Sequence, residues 1–253
     1  MPKVVAVILH YENEEMTNQC IESFKKTAPN VELLVVDNFS TFDYKREDVT
    51  VIRNDNRMSV SGINLGLLHA LYQMQADFVI NSDNDIICLD GWLEPLLKAF
   101  EEHPQVGIAG GKQWNPDRTH HRSVGADLIG GHLAGDAPNT QETVFWIQGS
   151  FVMMRAEMMR KIGVHDDRFE IVCSDSDYCI HAWDRGWQVM FVPESEVIHV
   201  GNGSYGKKAV DTWKSDNTKL IQKWYGIKSF EFLENFPYDT DSKKKMTVKY
   251  ELA

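Results

Sequence analysis

The sequence predicts an α/β fold: a mostly parallel central sheet flanked by helices, with a smaller mixed second sheet. Three observations predict it. Two short apolar runs, KVVAVIL at 3–9 and VELLVV at 31–36, enclose a stretch where Met16, Cys20, Ile21 and Phe24 recur at helical spacing. A strand, a helix and a strand in so short a space make a unit with parallel strands. The alternation then repeats as far as residue 110, and polar clusters follow the apolar runs, where an α/β sheet binds its ligands.

Each element is read in turn. VTVI at 49–52 is the third strand, and Ile63, Leu67, Ala70, Leu71 and Met74 form a helical stripe before the strand DFVIN at 77–81. Trp92, Leu93, Leu96, Leu97 and Phe100 share a helix face, and VGIAG at 106–110 closes a half in which helices cover a sheet. Residues 111–143 carry many Gly, His, Asn, Pro and Asp and read as long loops, which in a compact domain are usually functional. Strands return at 144–154, 187–193 and 196–200, and a stripe through Val210, Trp213, Asn217, Leu220, Ile221 and Trp224 closes the body. The expected organisation is one domain over 1–226, its halves meeting after residue 110, and a polar tail at 227–253. No internal repeat or low-complexity linker is present.

Composition bounds the function. The 253 residues are 43% hydrophobic and 25% charged, which places them among ordinary globular chains. With 26 Lys+Arg against 37 Asp+Glu the net charge is −11, which argues against a protein that lives on polyanions such as nucleic acid. An excess of carboxylates remains compatible with divalent-metal chemistry, where the ion reverses the local sign. Cys20, Cys88, Cys173 and Cys179 show neither CxxC nor disulfide-dense spacing and read as buried thiols. The opening MPKVVAVILHYENEE lacks a cleavage site, and its apolar run falls far short of the roughly 20 residues a membrane helix needs. The expectation is a cytoplasmic protein, peripheral to the membrane at most.

The strand ends carry the chemistry. The first ends His10-Tyr11-Glu12-Asn13, and the second places Asp37, Asn38, Ser40 and Asp43 at its mouth. Asn54, Asp55, Asn56 and Arg57 follow the third, and Asp83-Asn84-Asp85 follows the fourth. Asp83 and Asp85 allow two readings: a turn that converges them on one hard cation, or an Asx turn that caps the next segment. Asp175 and Asp177 either start a helix through Cys179, Ala182 and Trp183 or project a general base into a cleft. His199 reads as a buried hydrogen-bonded ring or as a metal ligand. Met153, Met154, Met158 and Met159 read as core, and Gly201 and Gly203 as a tight, mobile loop.

At this point the motifs carry a resemblance. VVDNFSTFD, NRMSVSGINLGL, DFVINSDNDIICLDGWLEPLL, VFWIQGSFVMMRAEMMRKIGVHDDRFE and SDSDYCIHAWDRGWQVMFVPESEVIHVGNGS stand in order over residues 3–205. The chain resembles a GT-A glycosyltransferase of family 2, in the rhamnosyltransferase-like branch. The resemblance implies a nucleotide-diphosphate sugar donor of UDP or dTDP type, Mn2+ or Mg2+, and transfer to a saccharide or glycoconjugate hydroxyl, usually with inversion. It makes 1–110 a nucleotide-binding half and 111–226 an acceptor-binding half. By the same resemblance Asp37, with His10 and Tyr11, contacts the nucleotide, and Arg57 and Asn64 line the donor. Asp85 is the direct metal ligand, Asp83 lies nearer the ribose with Asn84 between them, and His199 completes the metal shell. Asp175 is the base, and Trp146, Gln148 and Gly149 face the donor sugar and acceptor.

Two departures stand out. The family's Glu before the base is Ser174 here, so Asp177 or Glu170 replaces an acceptor-positioning carboxylate or none does. The motif after the first strand is His10-Tyr11-Glu12-Asn13-Glu14. Other readings stay open: a retaining transferase, transfer to a nucleobase or protein, or a catalytically dead sugar-binding module. The anomer of the product separates the first from inversion, and donor hydrolysis without acceptor tests the last.

Overall fold

The computed structural model describes residues 1–56, 59–121, 124–125, 141–170, 172–201 and 208–225. Strand β1 (Val4–His10) is buried along nearly its whole length, as a central parallel strand must be. Helix α1 (Glu14–Thr27) starts where Asn13 accepts the Met16 N–H, with Glu14 and Glu15 in its first turn and Lys25 and Lys26 in its last. That charge order suits the helix dipole. There follow β2 (Glu32–Asn38), β3 (Thr50–Asn54), α2 (Ser59–Tyr72), β4 (Phe78–Asp83), β5 (Ile86–Cys88) and α3 (Leu93–Glu102). Next come β6 (Val106–Trp114), β7 (Val124–Gly125), β8 (Glu142–Thr143), β9 (Trp146–Ile147), β10 (Phe151–Arg155), α4 (Ala156–Ile162) and α5 (Ser174–Asp184). Strand β11 (Gln188–His199) and helix α6 (Lys208–Tyr225) complete the described chain.

The main sheet runs β3-β2-β1-β4-β10-β6-β11-β5, with β8 on β11, and β7 and β9 form a small antiparallel pair. Strands β3, β2, β1 and β4 are parallel, as the repeated strand–helix pattern predicts. The later strands make the sheet mixed. Strand β10 lies antiparallel between β4 and β6, and β11 is parallel to β6 but antiparallel to β5 and β8.

Two segments differ from their sequence patterns. The apolar run 144–154 is not one strand: a turn at Gly149 and Ser150 splits it, sending β9 to the small sheet and β10 to the large one. Conversely, 187–193 and 196–200 are one strand, β11, whose pairing with β6 shifts register between Phe191 and Glu196. Pro193 lies in that interval and has no N–H to give the ladder. Of the stretch read as loops, β6 extends to Trp114 and β7 and β8 are short strands; residues 126–140 and the tail from 226 lie outside the described residues.

Apolar side chains fill both faces of the sheet. On one, α1 and α3 contribute Cys20, Ile21, Phe24, Leu96, Ala99 and Phe100; on the other, α2, α4, α5 and α6 contribute residues such as Leu67, Met158, Tyr178 and Trp224. Met153 and Met154 point to opposite faces, and all four methionines of that segment are buried. Each such side chain contributes roughly 1.5–3 kcal/mol through burial. The four cysteines are buried free thiols, and burial pushes Cys20 and Cys173 up to about 12. No helix among the described residues is long and apolar enough to cross a membrane.

Candidate active site

Strand β4 ends at Asp83, whose N–H donates to the Ser150 carbonyl at 2.8 Å. Two residues on, Asp85 is 8% exposed. Antiparallel pairing of β11 with β5 sets His199 opposite Ile86, which carries the imidazole to Asp85. The His199 Nε2 to Asp85 Oδ2 distance is 3.3 Å, and the Gly201 N–H donates to the same oxygen at 3.1 Å. Ligand atoms of Asp83, Asp85 and His199 lie within 4.8 Å of one another. The Asp85 Oδ1 is buried without a hydrogen-bond partner.

The two carboxylates differ in charge for physical reasons. Burial, then the charge of Asp85, pushes the Asp83 carboxyl up to about 7. Burial also presses on Asp85, but the bond and charge of His199 and the Gly201 N–H outweigh it and hold that group below the usual carboxylate range. A divalent cation fits these residues. It would take the orphaned Asp85 lone pairs and cancel the repulsion between the carboxylates, and two carboxylates with an imidazole are donors that Mn2+ or Mg2+ accepts.

Asp175 stands in the first turn of α5, after Cys173 in a left-handed conformation with φ 63°. Its Oδ2 accepts the Gly149 N–H at 2.9 Å and its Oδ1 the Ser176 N–H at 2.8 Å. A Cβ at Gly149 would meet the Asp175 Cβ at 2.8 Å, so the approach needs glycine. The Gly149 carbonyl accepts Asn81 Nδ2 at 2.6 Å, which ties this turn to β4 two residues before Asp83. Asp175 is near enough for its charge to act on Asp83. Asp175 thus stands in the helix start read from the sequence, with its carboxylate fixed by the Gly149 N–H.

Other predicted residues fall elsewhere. Asp37 is buried and accepts the N–H groups of Ser40 and Tyr44 at 3.1 and 3.2 Å and Arg53 Nη1 at 2.5 Å, so its carboxylate organises the loop after β2. His10 is fully buried, its Nδ1 2.6 Å from Thr17 Oγ1 and its ring against Tyr44; Tyr11 beside it is half-buried. Asn84 donates to Thr17 Oγ1 at 2.9 Å and so faces α1. Asn64 spends its amide on the backbone of His165, at 2.8 and 3.0 Å, and pins the loop before α5 to α2.

Three residues read as facing sugar or acceptor are built into the protein differently. Trp146 is 1% exposed and belongs to the core, because β9 packs its indole under α5 and the sheet. Gln148 meets Gln113 through its carbonyl, and its Oε1 is buried without a partner. Asp177 is 1% exposed, with Oδ1 taken by Trp224 Nε1 and Oδ2 by Lys223 Nζ, both at 2.8 Å. Its carboxylate anchors α6. Arg57 and Gly203 lie outside the described residues.

Sequence reasoning missed Arg53, Gln113, Ser150 and Asp216. Arg53 had a signal, since it stands opposite Asp37 across the β2–β3 pair. Asp216 is fully buried on α6 and accepts the N–H groups of Glu170 and Val172 and the Lys219 ammonium at 2.9–3.2 Å. A lone acidic residue on an otherwise apolar helix face is the trace it leaves in the sequence.

A sheet whose β4 ends in an Asp-x-Asp turn, closed by a histidine from β11 with a further aspartate on α5, is the architecture of a GT-A glycosyltransferase. Residues 5–163 match the sequence model of glycosyl transferase family 2, more than half of the chain, and the chain belongs to that family. It is 23% identical over 258 residues to the O-antigen biosynthesis protein RfbC of Myxococcus xanthus, covering 90% of this chain and 20% of that protein. It is 24% identical over 216 residues to an N-acetylglucosaminyl-diphospho-decaprenol L-rhamnosyltransferase of Mycobacterium tuberculosis, covering 72% of this chain and 70% of the relative. Among solved structures, GalNAc-T7 with UDP, GalNAc and Mn2+ superposes with a TM-score of 0.70 at 16% identity, over 99% of this chain and 55% of that one. TarS of S. aureus superposes with a TM-score of 0.65 at 12% identity, over 98% and 42%. The chain thus spans a fifth of the Myxococcus protein and about half of each structural neighbour.

Proposed function

We propose that this glycosyltransferase moves a hexosyl or deoxyhexosyl unit from a UDP- or dTDP-linked sugar to a hydroxyl of a saccharide or glycoconjugate, with inversion and Asp175 as base. One observation carries the reading: the Asp175 carboxylate is fixed by the Gly149 N–H beside, but outside, the Asp83–Asp85–His199 trio. The rhamnosyltransferase relative supports a deoxyhexose, and the neighbour crystallised with UDP and Mn2+ supports the donor type. Residues 1–110 serve the nucleotide and 111–226 the acceptor.

Asp85 and His199 would hold Mn2+ or Mg2+, whose chemistry there is to neutralise a diphosphate leaving group. Asp175 takes the proton of the acceptor hydroxyl as that oxygen bonds to the anomeric carbon. The bond from that carbon to the diphosphate oxygen breaks on the opposite face, and the nucleoside diphosphate leaves with the electron pair. One displacement inverts the anomeric centre. Gly149 holds the carboxylate in place, which limits reorganisation during the step.

Asp175→Asn tests this. It is expected to lower kcat by about 10²–10⁴-fold with donor Kd nearly unchanged. Wild-type turnover would remove Asp175 from the role, and NMR of the product anomer decides inversion.

A further inference from the structure

We infer that His165 is a positioning residue: its Nδ1–H holds the peptide that leads into Asp175 and so aims the carboxylate; this rests on the reading of Asp175 as base above. Helix α5 starts without ordinary support. Cys173 precedes it in a left-handed conformation, with φ 63°, and gives it no side-chain cap. Such a conformation persists in a non-glycine residue only where the surroundings impose it. Two residues on, the Asp175 carboxylate is oriented by the N–H groups of Gly149 and Ser176. The backbone that bears it needs a hold of its own. The Ser174 carbonyl belongs to the peptide unit whose nitrogen is that of Asp175, and His165 Nδ1 lies 3.1 Å from this oxygen.

A carbonyl oxygen only accepts, so Nδ1 carries the hydrogen and donates it. Burial holds the ring below the ordinary imidazole range, against the opposing pull of the Ser174 carbonyl and of the charges of Asp175 and Asp177. The ring is therefore neutral at neutral pH, and its Nε2 is a bare lone pair. That atom is buried without a hydrogen-bond partner among the described residues. A phenylalanine would fill the same slot, where the ring stacks on Tyr178 with centroids 4.4 Å apart, and would bury no bare lone pair. What the imidazole adds is its Nδ1–H. The slot itself is fixed. Asn64 on α2 donates to the His165 carbonyl at 2.8 Å and accepts its N–H at 3.0 Å, and the Tyr178 hydroxyl donates to the Gly163 carbonyl at 2.6 Å. A line of contacts thus runs from α2 through His165 and Ser174 to Asp175, which Gly149 meets from the sheet side. Held from both sides, the carboxylate keeps one direction through the reaction.

The test uses the full chain. Long-range 1H–15N correlation with 15N-labelled histidine reads the tautomer of His165, assigned by its loss in His165→Phe, and the expected result is Nδ1–H. Kinetics follow release of UDP or dTDP from the linked hexose or deoxyhexose that the wild type turns over fastest with Mn2+. His165→Phe is expected to fold and to lower kcat about 10–100-fold, with donor KM and Mn2+ affinity as in the wild type. His165→Asn keeps a donor at the Nδ1 position and should restore most of the lost kcat. His165→Gln, whose amide reaches the Nε2 position instead, should behave as His165→Phe and decides the matter if the Phe variant does not fold. In an Asp175→Asn background His165→Phe should add little, because the two residues act as one unit. An Nε2–H tautomer in the wild type overturns the inference. So does wild-type kcat in the folded Phe or Gln variant, or an undiminished further loss in the Asp175→Asn background; the base itself then stands. Wild-type kcat in Asp175→Asn alone is the separate failure of the base, and no turnover of any such donor is the failure of the proposed function; the role of His165 falls with either.

Discussion

Asp83 and Asp85 are the same residue type two positions apart, yet the fold gives them different protonation behaviour. Burial and its neighbour push Asp83 up to about 7, while His199 and the Gly201 N–H keep Asp85 ionised. The Asp83 carboxyl titrates near 3.8 when unfolded, so its contribution to metal-free stability is full below about pH 4 and is lost as pH rises through 7. A divalent cation favours the ionised form and reverses that penalty. Mn2+ binding near pH 6 is therefore expected to release protons, and Asp83→Asn to release fewer, as calorimetry in buffers of different ionisation heat will read. Asp85→Ala is expected to abolish metal-dependent nucleotide binding, and unchanged affinity with Mn2+ would exclude Asp85 as the ligand. At this scale the motif residues were legible because Asp-x-Asp, the Ser-Asp helix start and the strand-terminal His are local patterns. Asn64, Asp177 and Trp146 were not, since each takes its partners from distant segments.

Helices α5 and α6 show what one buried carboxylate does for an element. Asp216 gathers the N–H groups of Glu170 and Val172 just ahead of Cys173, and Lys223 bridges Asp166 and Asp177 at 2.9 and 2.8 Å. Helix α6 thereby clamps the segment that presents Asp175. Asp216→Ala would remove a fully buried acceptor from those half-buried backbone donors and from Lys219 and is expected to cost about 3 kcal/mol in urea unfolding. It should also lower kcat while leaving Mn2+ affinity unchanged, because Asp83, Asp85 and His199 stand on other elements. Helix periodicity predicted α1, α2 and α3, and each buries one side against a face of the sheet. Strand limits were less legible. A continuous apolar run does not reveal that Gly149 and Ser150 break it, since the break serves Asp175 and Asp83 rather than local propensity.

Over the whole molecule the sheet sets the site. Strand β11 crosses β6 so closely that a Cβ at Gly111 would lie 1.9 Å from the Ser195 carbonyl oxygen. Gly111→Ala must separate the two strands and is expected to destabilise the protein by about 4 kcal/mol or more, measured by chemical denaturation. The same crossing delivers His199 to Asp85, so this variant should lose Mn2+ binding even where it still folds. The net charge of −11 is concentrated in part where that geometry gathers carboxylates, which a cation turns from a repulsive feature into a diphosphate receptor. Helices α1, α2, α3 and α6, most of the strands, the parallel first half, the polar strand ends and the family were legible in the sequence. Periodicity, capping and motif spacing are written in neighbouring residues. The antiparallel course of β10 through the sheet and the hold of Asp177 and Asp216 on α6 were set by the tertiary fold. Those choices depend on strand order and register between segments far apart in the chain, which no local pattern encodes.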